Sequence, residues 1–141
     1  MKVRLLLSVL LVLGLAACGD DTEVAAGGSP IGRTFVSESI TGHQLVAGTQ
    51  VSFDFRDDEL LATAGCNSLF GTLRIDADRL FVESMGGTEM GCDPERHAQD
   101  TWVADFLGAG PTYAVDGDRL RLTSGEVVLT MLDRELAMEK G

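Results

Sequence analysis

The chain has 141 residues, with 22 Asp and Glu against 11 Lys and Arg, for a formal charge of −11. That balance argues against nucleic acid and anionic lipid headgroups as partners, because both are held by clustered positive charge. Apolar residues make up 45% of the chain, enough for the core of one domain, and the acidic surplus is expected to be solvated surface.

The apolar residues are not spread evenly. Lys2 and Arg4 precede an apolar run of 11 residues, Leu5 to Leu15, interrupted only by Ser8 and Gly14, and Ala16 and Ala17 follow. A charged start, a short apolar stretch and small residues define a secretory signal over 1–17. The run falls short of the roughly 20 residues that a spanning helix needs. Cys18 stands directly after the small residues. The order Leu15-Ala16-Ala17-Cys18 resembles a bacterial lipobox, which implies that Cys18 is acylated on sulfur and begins the mature chain. Cleavage by a general signal peptidase after Ala17 is the alternative, and it leaves a free thiol. Acyl chains contribute about 0.8 kcal/mol per buried methylene, and more than one chain is needed for a stable anchor. Losing Lys2 and Arg4 takes the mature charge from −11 to −13, so lipid rather than charge is expected to hold this protein at a bacterial membrane, on the outer surface or the periplasmic face.

Residues 18–32 form the next segment. Asp20, Asp21, Glu23, Gly27, Gly28, Ser29 and Pro30 show no apolar period, which predicts a flexible tether. The 14 residues from Gly19 to Gly32 span roughly 45 Å when fully extended.

From Arg33 the pattern becomes short strands separated by turn signals. Strands are expected at Thr34–Ile40, Val51–Phe55, Leu60–Gly65, Leu69–Ile75, Leu80–Val82, Tyr113–Val115, Leu120–Thr123 and Val127–Met131. Val51-Ser52-Phe53-Asp54-Phe55 alternates with the period of a half-buried strand. Asp116-Gly117 marks a tight hairpin turn. Short connections imply antiparallel neighbours.

One segment departs from this rhythm. Asp93 suits an N-cap and Pro94 the first helical turn. Ala98, Trp102 and Phe106 recur every fourth residue with Val103 and Leu107 beside them, which places these on the packed face and leaves Glu95, Gln99 and Asp100 to face water. Gly108, Gly110 and Pro111 end the helix. The expected fold is therefore mainly β (α+β): a curved antiparallel sheet or partly open barrel of seven or eight short strands, with one helix at about 94–107 packed on it. The domain is expected over 33–134, with 135–141 as a short frayed tail.

Cysteine parity bears on the body of the domain. With Cys18 lipidated, Cys66 and Cys92 remain, and an oxidising exported location makes a disulfide the default; two buried free thiols are the alternative. A reactive thiol pair at a helix entrance would serve redox chemistry, although redox pairs usually show CxxC spacing. Cys92-x4-His97 has the form of half of a metal site, but its other half is missing and a disulfide would consume the thiolate, so no metal and no cofactor are expected. Asp76-x-Asp78 and Asp116-x-Asp118 fit hairpin turns better than calcium loops. Ser37, Ser39 and Ser68 lack the setting of a nucleophile elbow.

Two clusters stand out: Gly65-Cys66-Asn67 with Gly71 four residues after Asn67, and Thr88-Glu89-Met90-Gly91-Cys92-Asp93-Pro94 before the helix. Together with "GRTFVSESITGHQL" and "DGDRLRLTSGEVVLTM", they resemble the META domain, or HslJ-like heat-shock, family over roughly Gly32 to Leu132. Phe35 stands where many members have Trp, and Asp100-Thr101 where an acidic residue, usually Glu, is common before the aromatic position. The resemblance implies a small exported or lipid-anchored protein linked to stress, and no established catalytic residues. The motif also has a structural reading. Gly65 and Gly71 suit close approach or positive φ, Asn67 can close a turn, and a Cys66–Cys92 bond would staple the helix to the sheet.

The expected function is that of a non-catalytic envelope lipoprotein that binds an envelope protein or a small ligand, in a stress-related or assembly role. The alternatives are a thiol-redox enzyme using Cys66 and Cys92, or a spacer or pilot for another envelope component. The expected binding loops are His43–Gln50 and Ser84–Met90, with His43, Met85 and Met90 as contact residues; methionines filling a barrel end would explain the second loop equally well.

Overall fold

The structure is a computed structural model and describes residues 27–139. The expected signal, Cys18 and most of the expected tether lie outside the described residues. Eight strands follow in order: β1 (Thr34–Thr41), β2 (Ser52–Phe55), β3 (Glu59–Thr63), β4 (Ser68–Asp76), β5 (Arg79–Gly87), β6 (Thr112–Asp116), β7 (Arg119–Ser124) and β8 (Val127–Asp133). Helix α1 (Pro94–Gly108) separates β5 from β6, and a short α2 (Arg134–Glu139) follows β8.

Each strand pairs antiparallel with its sequence neighbour, and β8 returns to β1, so the sheet curves into a ring. The ring is not uniform. β4 and β5 pair along most of their length, whereas β5 and β6 share only the registered pair Arg79↔Thr112, flanked by bonds from Leu80 N to Pro111 O and from Tyr113 N to Asp78 O. Helix α1 is inserted in the chain at this thin seam and packs along β5.

Alternation builds the core, because successive side chains on a strand point to opposite faces. Phe53 and Phe55 of β2, Leu60 and Ala62 of β3, Leu120 and Leu122 of β7, and Leu129 and Met131 of β8 are all buried. Phe35 of β1 packs edge-to-face on Phe55, with ring centroids 5.9 Å apart. Val103, Phe106 and Leu107 of α1 join this cluster from one side. At the β1–β8 closure Arg33 Nε donates to Asp133 Oδ2 at 2.7 Å, and Arg33 Nη2 donates to Gly117 O at 2.8 Å.

Several boundaries differ from the sequence reading. Strand β5 was expected to end near Val82 but runs to Gly87. Ser84 adopts φ +54°, and the β4–β5 register shifts between Phe70 and Thr72. A bulge of this kind absorbs one residue and lets pairing resume, so Gly86 and Gly87 lie opposite Phe70 and Leu69. The tail was expected to fray, but α2 is helical, with Glu135 N donating to Asp133 Oδ1 at 3.0 Å. The last residues read as tether also touch the ring: Gly28 N donates to Val115 O, and Gly32 N to Phe55 O.

Candidate functional site

The two motif clusters meet at the entrance of α1. Asn67 follows the β3–β4 turn and is 7% exposed. Its side-chain amide donates to Asp100 Oδ2 at 2.9 Å, and its backbone N–H donates to the same oxygen at 3.0 Å. Its Oδ1 accepts from Thr88 Oγ1 at 3.0 Å and from Met90 N at 2.7 Å. Thr88 is tied in turn to Ser68, its hydroxyl accepting from Ser68 N at 3.1 Å and its own N–H donating to Ser68 O at 3.0 Å. One buried asparagine thus joins the β3–β4 turn, the chain after β5 and the helix. Asn suits this place because one planar amide both donates and accepts.

The disulfide lies alongside. Cys66 and Cys92 are bonded, with Cα atoms 6.1 Å apart, and the bond fastens the turn before β4 to the segment before α1. Cys66 Sγ lies 3.7 Å from Met90 O, but a disulfide sulfur carries no proton, so this is a contact and not a hydrogen bond. Cys92 N donates to His97 Nε2 at 3.2 Å. Asp93 caps the helix by accepting from Arg96 N at 3.0 Å. That bond, with the Arg96 guanidinium beside it, holds the Asp93 carboxyl below the usual carboxylate range.

The glycines of the motif have distinct roles. Gly65 has φ +109°, a conformation that side chains resist. Gly71 needs space instead, since a Cβ there would lie 2.7 Å from Val82 Cγ1 and 2.9 Å from Glu83 O.

Val103, Phe106 and Leu107 are buried as read in the sequence, but the buried face of α1 is rotated to take in two polar residues. Gln99 and Asp100 were expected to face water, yet they are 3% and 6% exposed. The buried stripe runs through Gln99, Val103, Phe106 and Leu107, whereas Ala98 is exposed and Trp102 half-buried. Buried backbone groups explain the rotation, because each needs a partner. Gln99 Oε1 accepts from Val46 N at 2.6 Å, while its Nε2 donates to Thr49 Oγ1 at 2.8 Å and to Ala64 O. Asp100 serves Asn67 in the same way. Two polar residues followed by apolar ones at three and four positions on could have marked this face. The sequence pattern does not show which backbone amides wait opposite them.

The expected contact residues do not converge. Met85 lies on β5 and not in a loop, because of the Ser84 bulge. Met85 and Met90 line a groove of about 590 Å³ between the end of the β4–β5 hairpin and α1, shared with Leu69, Thr88, His97, Asp100 and Ala104. Met90 is 58% exposed. His43 lines a separate groove of about 570 Å³ with Leu45, Val46, Glu95, Ala98 and Gln99. Its ring stacks on Trp102, with centroids 3.9 Å apart and planes 1° from parallel. At 100° per residue, the α1 residues of these two grooves fall on nearly opposite helix faces.

This architecture defines a small, disulfide-stapled antiparallel ring with one helix over its seam. A family model for the META domain matches residues 29–135, and the chain belongs to that family. No curated protein matches. A protein solved by NMR resembles the chain with a TM-score of 0.61 and 20% identity, over 74% of this chain and 92% of the other. Another, from Burkholderia xenovorans, resembles it with a TM-score of 0.59 and 15% identity, over 72% and 81%. At these identities the likeness concerns the fold alone.

Proposed function

We propose that this chain is a non-catalytic envelope lipoprotein, anchored to a bacterial membrane through Cys18, whose META domain binds an envelope protein or a small apolar ligand in a stress-related or assembly role. The observation that carries the reading is the groove beside α1. Around it, Asn67 and Thr88 are hydrogen-bonded to each other, to Asp100 of α1 and to backbone, so these polar groups serve the fold. What the groove offers a ligand is largely thioether and methylene surface from Leu69, Met85, Met90 and Ala104. Methionine suits such a surface because its flexible, polarisable chain adapts to varied shapes. The lipobox-like stretch before Cys18 and the tether supply the anchor side of the proposal.

A photo-crosslinking residue at Met85, placed in intact cells, tests the binding role. A reproducible adduct is expected there and not at the solvent-facing Thr72 on β4. Equal labelling at the two positions would remove the groove from the proposal. Palmitate labelling of the wild type against Cys18→Ser tests the anchor, and equal incorporation would sink it.

A further inference from the structure

The sequence carries half of a metal-binding set in Cys92-x4-His97, and the fold brings up the other half. A sulfur of Cys66, a ring nitrogen of His97 and a carboxylate oxygen of Asp100 all lie within 4.8 Å of one another. Cys92 is bonded to Cys66, so its sulfur lies directly beside these three groups. His97 and Asp100 are three residues apart on α1 and therefore share a helix face.

The state of Asp100 points toward a ligand. Its Oδ2 is held by both N–H donors of Asn67, while its Oδ1 is buried without a hydrogen-bond partner among the described residues. A buried carboxylate oxygen left unpaired is costly, and a cation or a donor would relieve it. The geometry is that of a ligating carboxylate with its outer support in place: one oxygen fixed by neighbours, the other open. The ring of His97 accepts from Cys92 N through Nε2, so that nitrogen carries a lone pair, which a cation would take in place of this hydrogen bond.

We propose that the Cys66–Cys92 bond masks a metal site, and that its reduction by a dithiol lets Cys66, Cys92, His97 and Asp100 hold a zinc-class divalent cation. The dithiol supplies two electrons and two protons and closes to its own disulfide, while the S–S bond breaks and each cysteine sulfur takes one proton. The cation then displaces both protons as its bonds to sulfur form. Two thiolates, one imidazole and one carboxylate make a four-coordinate set of the kind zinc prefers, with bonds of about 2.0–2.3 Å. A tetrahedron on those bonds separates its ligand atoms by roughly 3.3–3.8 Å. The three atoms already within 4.8 Å of one another need to close by at most about 1.5 Å to reach it, and the Cys92 sulfur moves away from Cys66 to that spacing once their bond is broken.

Cobalt(II), a spectroscopic substitute for zinc, tests the site. The full chain carrying Cys18→Ser, so that only two thiols are present, is reduced with dithiothreitol, freed of it under anaerobic conditions and titrated with cobalt. One cobalt per chain is expected, with thiolate-to-metal charge transfer, the strong visible bands of four-coordinate cobalt, two protons released per ion, and loss of the bands on adding zinc. The oxidised chain is expected to give none of these. His97→Ala and Asp100→Asn should each weaken cobalt binding at least about tenfold. Asp100→Asn risks the fold through Asn67. His97→Ala removes an exposed ring whose one hydrogen bond among the described residues is to the Cys92 amide, so it decides the question if the former does not fold. A reduced chain without charge-transfer bands would overturn the proposal, and so would an unchanged affinity in either folded variant.

Discussion

Removal of the Asn67 side chain is the sharpest test of how this domain is held together. Asn67→Ala deletes three hydrogen bonds: a donated bond to the Asp100 carboxylate, and two accepted from Thr88 and Met90. A neutral bond contributes about 1 kcal/mol net and one to a charged group about 2 kcal/mol, so the loss is about 4 kcal/mol. Typical domains have only about 5–15 kcal/mol in total, so the variant should sit near the edge of folding. The measurement is urea unfolding with the disulfide intact, comparing midpoints at constant slope. Asn67→Asp sharpens the test. It keeps the shape but sets a second carboxylate against Asp100, where the amide donor was, and should cost at least as much as Asn67→Ala at neutral pH. A loss below about 1.5 kcal/mol for Asn67→Ala would refute the claim that this network holds the helix entrance to the sheet.

Replacing both Cys66 and Cys92 by Ser should lower stability by about 3.5 kcal/mol on the loop-entropy model for their separation of 26 residues, read by the same unfolding curve. Gly71→Ala should cost about 1–3 kcal/mol by overpacking against Val82 and the Glu83 carbonyl, whereas Gly117→Ala, whose added methyl meets nothing within 4 Å, should be destabilised through its positive φ alone; paired thermal melts separate the two. The Asp93 carboxyl is held low in the folded state, so its contribution is fully present above the unfolded value of about 3.9 and is lost as pH falls through the lower folded value. Asp93→Asn should therefore lower stability across the neutral region by that charge contribution and flatten the acid limb, so that variant and wild type converge as pH falls through the folded value.

Much of the fold was open to reading from local pattern. All eight strands, the helix and its Asp93 cap follow from period-2 alternation, turn chemistry and helix-stop residues, which act over a few neighbouring positions. The Cys66–Cys92 pair was expected on the premise that Cys18 is lipidated, and the fold brings Gly65-Cys66-Asn67 and Thr88-x-Met90-x-Cys92 together at the entrance of α1. The length of β5 was not legible, since a bulge at Ser84 depends on pairing with β4 and Gly86-Gly87 reads locally as a loop. The buried face of α1 was misjudged because Gln99 and Asp100 are polar. Polarity predicts exposure only where no buried backbone group awaits a partner.

Element order, strand positions and charge were thus legible in the sequence alone, because each depends on near neighbours or on composition. Tertiary structure decided which helix face turns inward, that His43 and the two methionines occupy different grooves, and that His97 and Asp100 stand beside the disulfide. These depend on contacts between residues tens of positions apart, and such contacts exist only once the ring has closed and buried hydrogen-bonding groups have found one another.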